Sequence, residues 1–392
     1  MKRTGTLNSK DQAMAIDANL ARRLDSVIDT ALAERRIVGG QILVARDGEV
    51  AYARAAGHAD RESGAPMRRD TILRFASLTK PVVTVATLAL AEDGVVDIDA
   101  PVTRYLPAFR PRMEDGAEPV ITLRHLLTHT SGLTYDFMEP PESAYHAAGI
   151  SNGFDRPGMA MEDNLARIAA WPLKFAPGAA WNYSVSTDVL GAAIAAAAGE
   201  TLPRIVRRKV TGPLGMKDTD FAVVDPDRLA TPYADGEPAP VRMGETHQIP
   251  FAVSPLNYAP ARNLDATSFP SGGAGMAGTG DDYLTFLEAL RQGGGAVLKP
   301  PSAALLSTNA IGDIPVVLMG PGYGFSLGAA VLLHPAAAGA PQAAGSWSWG
   351  GVYGGNWFVD PANRISVVIL TNTAIEGMIG PFTVAVRDAV YA

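Results

Sequence analysis

Ser77-Leu78-Thr79-Lys80, followed at once by Pro81, is the stretch whose reading decides this fold. A serine and a lysine three residues apart on a helix share a face, with Cβ atoms roughly 5–6 Å apart. A serine hydroxyl alone is a poor nucleophile at neutral pH; an amine that takes its proton, or steadies a phenolate that does, activates it. The surroundings predict such a helix. Phe75-Ala76 lead in from a turn, and proline is tolerated in a first helical turn, where backbone N–H groups lack partners anyway. Val82, Val83, Val85, Ala86, Leu88, Ala89 and Leu90 carry the helix to a stop at Asp93-Gly94. Ser77 is therefore expected at a helix N-terminus, where backbone N–H groups and the dipole favour developing negative charge.

Outward from this stretch, the pattern changes twice. Upstream, Ile16, Leu20, Leu24, Val27, Ile28 and Leu32 fall at helical spacing between Met14 and Glu34. Asp47-Gly48 between Gln41 to Arg46 and Val50 to Arg54 predicts a hairpin. Residues 101–299 read as helical segments broken by Pro- and Gly-rich loops. The longest loop, Asp235 to Pro260, is expected to rim a site or form a flap. Strands return at Gly324 to Leu333, Gly345 to Trp349, Trp357 to Asp360 and Ile365 to Thr371, and Phe382 to Tyr391 closes the chain as a helix. An α+β fold follows, with an antiparallel sheet built from both ends of the chain and flanked by helices. The expected division is 1–100 with 300–392 as an α/β domain, and 101–299 as an inserted, mainly helical domain.

Composition narrows the function. The chain has 392 residues, 47% of them hydrophobic, enough for a large core. A formal charge of −7 without a basic run disfavours a nucleic-acid partner. There is no cysteine, so thiol nucleophiles and thiolate metal sites are excluded, and a reducing, cytoplasmic setting fits. Met1 to Asn19 lacks an apolar core for a secretory signal, and no run approaches the ~18 apolar residues of a membrane span. His125 and His129 are four apart but lack the H-E-x-x-H context, so no metal is expected. Asp97-Ile98-Asp99 reads as a solvated turn or cap.

Two further stretches bear on the serine. Tyr183 lies in Trp181-Asn182-Tyr183-Ser184 and is either a packed core residue or, beside an ammonium, a base working as its phenolate. Trp349-Gly350-Gly351-Val352 is either a glycine-rich hairpin or a bare strand edge aiming an N–H at a substrate carbonyl. Gly149-Ile150-Ser151-Asn152-Gly153 matches the G-x-S-x-G elbow, but lacks a preceding strand and a following helix, so Ser151 is expected to be a loop serine.

Ser77-x-x-Lys80, Tyr183 and Trp349-Gly350-Gly351, in this order, resemble the serine β-lactamase and penicillin-binding protein superfamily, nearest its class C branch and the family VIII carboxylesterases. The stretches His125 to Leu133, Pro213 to Met216 and Ser271 to Met276 add to the likeness, which runs from about residue 20 to the C-terminus. The resemblance implies a class C β-lactamase-like fold, Ser77 as acylated nucleophile, Lys80 and Tyr183 sharing the base, and an oxyanion hole from the N–H groups of Ser77 and Val352. It implies no cofactor and a small ester as substrate. The departures shape specificity. Many relatives have Lys-Thr-Gly where this chain has Trp349-Gly350-Gly351, and Tyr-x-Asn where it has Tyr183-Ser184-Val185. Trp349, Gly350, Gly351 and Val185 are thus the expected substrate-binding residues, favouring neutral short-chain esters. The competing expectations are a β-lactamase, a D-aminopeptidase-like hydrolase, an acyltransferase, or a non-catalytic binding protein of the same fold.

Overall fold

The computed structural model describes residues 9–392, with side chains from Asn19 onward. The reading of the first residues as lacking a secretory signal, and the side chain of Ile16, lie outside the described residues. β1 (Gly39–Arg46) and β2 (Glu49–Asp60) form the hairpin expected at Asp47-Gly48, whose φ angles of 57° and 94° suit a type I′ turn. β3 (Ala65–Pro66) follows at the edge. The C-terminal third supplies β4 (Tyr323–Phe325), β5 (Ala330–Leu332), β6 (Trp347–Gly351), β7 (Gly355–Asp360) and β8 (Ile365–Thr371). All eight join one antiparallel sheet in the order β4-β5-β6-β7-β8-β1-β2-β3. β8 pairs with β1 from Gly40 opposite Thr371 to Arg46 opposite Ile365, so strands from the two ends of the chain meet mid-sheet.

The middle of the sheet, β1 and β8, is buried on both faces, which explains the apolar run from Val367 to Leu370 in β8. Side chains alternate across the pleat. Ile42, Val44, Val367 and Ile369 pack against Leu20, Leu24 and Ile28 of α1 (Ser9–Ala33) and Phe382 and Val386 at the C-terminus. Leu43, Val368 and Leu370 face the other way, into the larger core that also takes the buried residues of α2 (Thr79–Glu92). Each such side chain, fully buried, contributes roughly 1.5–3 kcal/mol. Between the sheet's two halves run α3 (Ser186–Ala198), α4 (Gly280–Arg291), which packs on β1 and β8, and several shorter helices. α5 (Pro381–Tyr391) closes the chain where the sequence places a helix.

Two expectations change. Gly324 to Leu333 is not one strand but the β4–β5 hairpin. Ser326 turns the chain by bonding Ala329 O through both its N–H and its hydroxyl, and Gly328 supplies φ 91°. Leu327 between them is wholly buried, so hydrophobicity hides the turn. The Asp235 to Pro260 loop also carries regular structure: Val241–Arg242 pairs with Tyr233–Ala234, and His247–Ile249 with Leu256–Tyr258. Among the described residues no single helix is long and apolar enough to cross a membrane; α3 and Leu202–Thr211 reach that length only together, bent by 81°.

Candidate active site

Ser77 lies in a single 3₁₀ turn, Ala76–Leu78, and the α-helix begins at Thr79, two residues later than the spacing suggests. The turn is strained: Ala76 holds φ 44°, a region that L-residues avoid and that functional sites tolerate. Packing fixes it. The Tyr283 hydroxyl of α4 donates to Leu78 O at 3.0 Å, and the Tyr283 ring meets Phe75 edge-on at 5.1 Å. The end of β6 closes from the other side. A Cβ on Gly351 would lie 2.2 Å from Phe75 O, and one on Gly350 2.8 Å from Met378 Cγ. Only glycines let this strand pass so near the serine turn. β5 pairs with β6 only at Trp347 and Ser348, so from Trp349 onward that edge is bare.

The structure brings Ser77, Lys80, Tyr183 and Trp349 together. Ser77 Oγ accepts from Lys80 Nζ at 3.1 Å and from the Tyr183 hydroxyl at 2.6 Å. Trp349 Nε1 donates to the Tyr183 oxygen at 3.3 Å. Lys80 is 1% exposed and gives a second hydrogen bond to Gly273 O at 2.8 Å. Its ammonium also sits 4.7 Å from the Tyr183 ring centroid and 5.3 Å from that of Tyr135, where the ring quadrupoles favour a cation. A serine between an amine and a phenol, in low dielectric, can lose its proton to whichever of the two is unprotonated, while the neighbouring charge steadies the result.

Several members of the site carry no sequence signal of their own. Phe251, on the 247–258 hairpin, meets Phe137 edge-on at 5.9 Å; Phe137 stacks on Tyr135 at 4.7 Å; Tyr135 contacts Tyr183 at 5.1 Å. The proline-rich loop thus packs toward Tyr183 through this row of aromatic rings. Tyr258 of the same hairpin donates to Val352 O at 2.9 Å and so holds the residue after Gly351. His129 lies 4.9 Å from the Tyr183 ring and shares a 3.2 Å bond with Ser184 Oγ. Burial first, and the Lys80 charge second, depress its imidazole well below the usual histidine range, so it stays neutral. His125 accepts from Thr122 N in a helix cap, and Asp99 pairs with Arg124; both are structural. Val185 is 1% exposed and lines a small enclosed space with Leu133, Tyr145, Ile150, Ile168 and Trp171. It is the residue before α3, and its side chain is packed among these apolar groups.

Ser151 belongs to a different, buried network. Its hydroxyl donates to Asp155 Oδ1 at 2.6 Å and accepts from Gly153 N at 3.1 Å, while its own N–H donates to Asn164 Oδ1. Burial pushes the Asp155 carboxyl up to about 6, and the Ser151 hydroxyl opposes that. An acid raised on folding holds its proton more tightly when native, so stability falls as pH rises through roughly 4 to 6. Ser151→Ala removes a donor from this carboxylate. The expected cost is about 1–3 kcal/mol, with the pH-dependent decline extended upward because Asp155 is pushed higher still. Thermal unfolding from pH 4 to 8 measures both, and turnover per folded molecule is expected to stay near wild type.

A comparison with protein-family models matches residues 24–384 to the Beta-lactamase family. Esterase EstB of Burkholderia gladioli is 50% identical over 384 residues, 97% of each chain. Among solved structures, one described as "EstCE1, a hydrolase with promiscuous acyltransferase activity" is 44% identical, with a TM-score of 0.92 over 96% of this chain and 99% of its own. The unliganded simvastatin synthase of Aspergillus terreus shares the fold at 24% identity and a TM-score of 0.73, over 94% and 97% of the two chains. A match across nearly the whole sequence, on a sheet-and-helix framework that carries a serine, a lysine and a tyrosine in mutual contact, places this chain in the Beta-lactamase family.

Proposed function

We propose that this protein is a serine carboxylesterase hydrolysing short-chain esters through an acyl-enzyme. The observation that carries the proposal is Ser77 Oγ bonded at once to Lys80 Nζ and to the Tyr183 oxygen; the likeness to Esterase EstB supports the substrate class. In the reacting state Tyr183 is the phenolate and Lys80 the ammonium. Tyr183 takes the Ser77 proton as Oγ bonds to the ester carbonyl carbon. The N–H groups of Ser77 and Val352 receive the oxyanion. As the C–O bond to the alcohol breaks, Tyr183 returns the proton to the leaving oxygen. Water then attacks the acyl-enzyme by the same path in reverse, releasing the acid and restoring Ser77. In this reading the serine comes from the 1–100 and 300–392 unit and the tyrosine from the 101–299 unit, and the absence of cysteine supports a cytoplasmic setting.

Trp349 decides between esters and lactams. Relatives with Lys-Thr-Gly place a cation where this chain places an indole. That indole is 7% exposed, and its N–H is directed at Tyr183. It offers nothing to a substrate carboxylate. Losing one ionic partner costs a few kcal/mol of discrimination, and about 1.4 kcal/mol is tenfold. kcat/KM for p-nitrophenyl butyrate is therefore expected to exceed that for benzylpenicillin by roughly three orders of magnitude. A side-by-side assay, with a chromogenic cephalosporin as third substrate, checks this. Comparable efficiency on the ester and the penicillin would restore the lactamase reading. The aromatic enclosure of Tyr183 and the description of EstCE1 favour a second reading, transfer of the acyl group to an added alcohol, which the same assay detects as a new ester.

A further inference from the structure

Behind Lys80 lies a carboxylate that the reaction scheme does not use. Asp188, in the first turn of α3, is fully buried. Its Oδ1 accepts from Ser271 Oγ at 2.6 Å and from Gly273 N at 3.2 Å. Ser271 Oγ in turn accepts from Ala274 N at 2.9 Å, and Ser271 O from Gly275 N at 2.9 Å. This tight turn presents Gly273 O to Lys80 Nζ. Gly273 is therefore held at its N–H by the acid and at its carbonyl by the lysine. It has no room for a side chain: a Cβ would lie 2.8 Å from Asp188 Oδ2 and 3.0 Å from the Tyr135 hydroxyl. Asp188 Oδ2 has no hydrogen-bond partner.

We propose that Asp188 is a positioning residue for the Ser77–Lys80–Tyr183 group: its carboxylate fixes the Ser271–Gly275 turn that aims Lys80, and supplies the negative charge that balances the buried ammonium. The inference rests on the esterase reading above. A buried cation needs compensation, and the polar groups touching Lys80 are a hydroxyl, a carbonyl and two aromatic rings, all neutral. Asp188 is the acid whose charge interacts with it. The other ionisable groups facing the pair are Arg262, Tyr135, Tyr145 and the neutral His129. Burial raises the carboxyl of Asp188, while the Ser271 hydroxyl, the Lys80 charge and the Gly273 N–H favour its anion. An opposite charge nearby favours the charged form of an amine, so the acidic limb of the pH profile is expected to depend on Asp188.

The test is the pH profile of kcat/KM on p-nitrophenyl butyrate for wild type, Asp188→Asn and Ser271→Ala, with fluorophosphonate labelling of Ser77 as a second readout. Asp188→Asn keeps the shape and removes the charge. Its acidic limb is expected to move down by roughly one pH unit, and kcat to fall up to about 10²-fold through misplacement of Lys80, with KM little changed. Ser271→Ala loosens the turn and leaves the carboxyl in place, but removes the hydroxyl that favours its anion; kcat is expected to fall, with the limb moved less than in Asp188→Asn. An unmoved limb in an Asp188→Asn enzyme that still labels overturns the proposal while leaving the esterase reading intact. Should Asp188→Asn not fold, Ser271→Ala decides: unchanged kcat overturns it. Absence of labelling in the wild type would instead overturn the esterase reading itself.

Discussion

Replacing Ser77 by alanine is expected to abolish ester hydrolysis, with a loss in kcat of at least about 10⁴-fold, equal to roughly 5 kcal/mol or more of barrier. The expectation follows from placement. Ser77 holds the hydroxyl that meets both an ammonium and a phenol, on a strained turn closed over by β6. Nothing else in the group can form the acyl bond at that point, so the variant should also resist fluorophosphonate labelling. Folding should survive. Lys80 keeps its bond to Gly273 O and its two aromatic neighbours, and Tyr183 keeps the Trp349 N–H. Ser151→Ala is the matched control: it touches the other serine that a motif singles out and should lower stability rather than turnover. Normal turnover in Ser77→Ala, or loss of turnover in a folded Ser151→Ala, would move the nucleophile elsewhere.

What the sequence reveals and what it hides divides along contact range. Asp47-Gly48 and Ile365 to Thr371 are legible because turn chemistry and a buried strand are local properties. Ser77 and Lys80 are legible for the same reason, since three residues on a helix fix a geometry. Tyr183 is 106 residues from Ser77, and no periodicity links them; only family resemblance brings it forward. Asp188 and Tyr258 are harder still. Asp188 reaches Ser271 across 83 residues, and Tyr258 reaches Val352 across 94. Each reads in isolation as an ordinary helix-start acid or core aromatic. The Ser271 to Met276 block shows what a partial signal looks like: its glycines mark close approach, but not of which lysine. Ser151 is the converse, a correct local pattern in the wrong setting, where Ala144–Ala148 is a 3₁₀ turn and no strand precedes it.

Tyr183→Phe and Lys80→Ala carry the second large effect. In the proposed mechanism, Tyr183→Phe removes the oxygen that receives the Ser77 proton and returns it to the leaving alcohol. The expected fall in kcat is roughly 10²–10⁴-fold, the span for a lost general base. The phenyl ring keeps its contacts with His129, Tyr135 and Trp349, so the fold should tolerate it, but the Trp349 N–H loses its acceptor at a cost of about 1–3 kcal/mol. Lys80→Ala should be at least as damaging. It deletes the charge that favours the phenolate and the donor that holds Ser77 Oγ, and leaves Gly273 O without its lysine. Lys80→Met, which fills the same channel without charge, separates the chemical loss from the void. If amine and phenol act as one base, their effects cannot add. The Lys80→Met, Tyr183→Phe double variant is then expected to be little worse than the poorer single. Independent roles would multiply the two losses, and wild-type kcat in either single variant would remove that residue from the mechanism. Steady-state and single-turnover kinetics on p-nitrophenyl butyrate distinguish these outcomes, because in the proposed mechanism acylation and deacylation use the same shared proton.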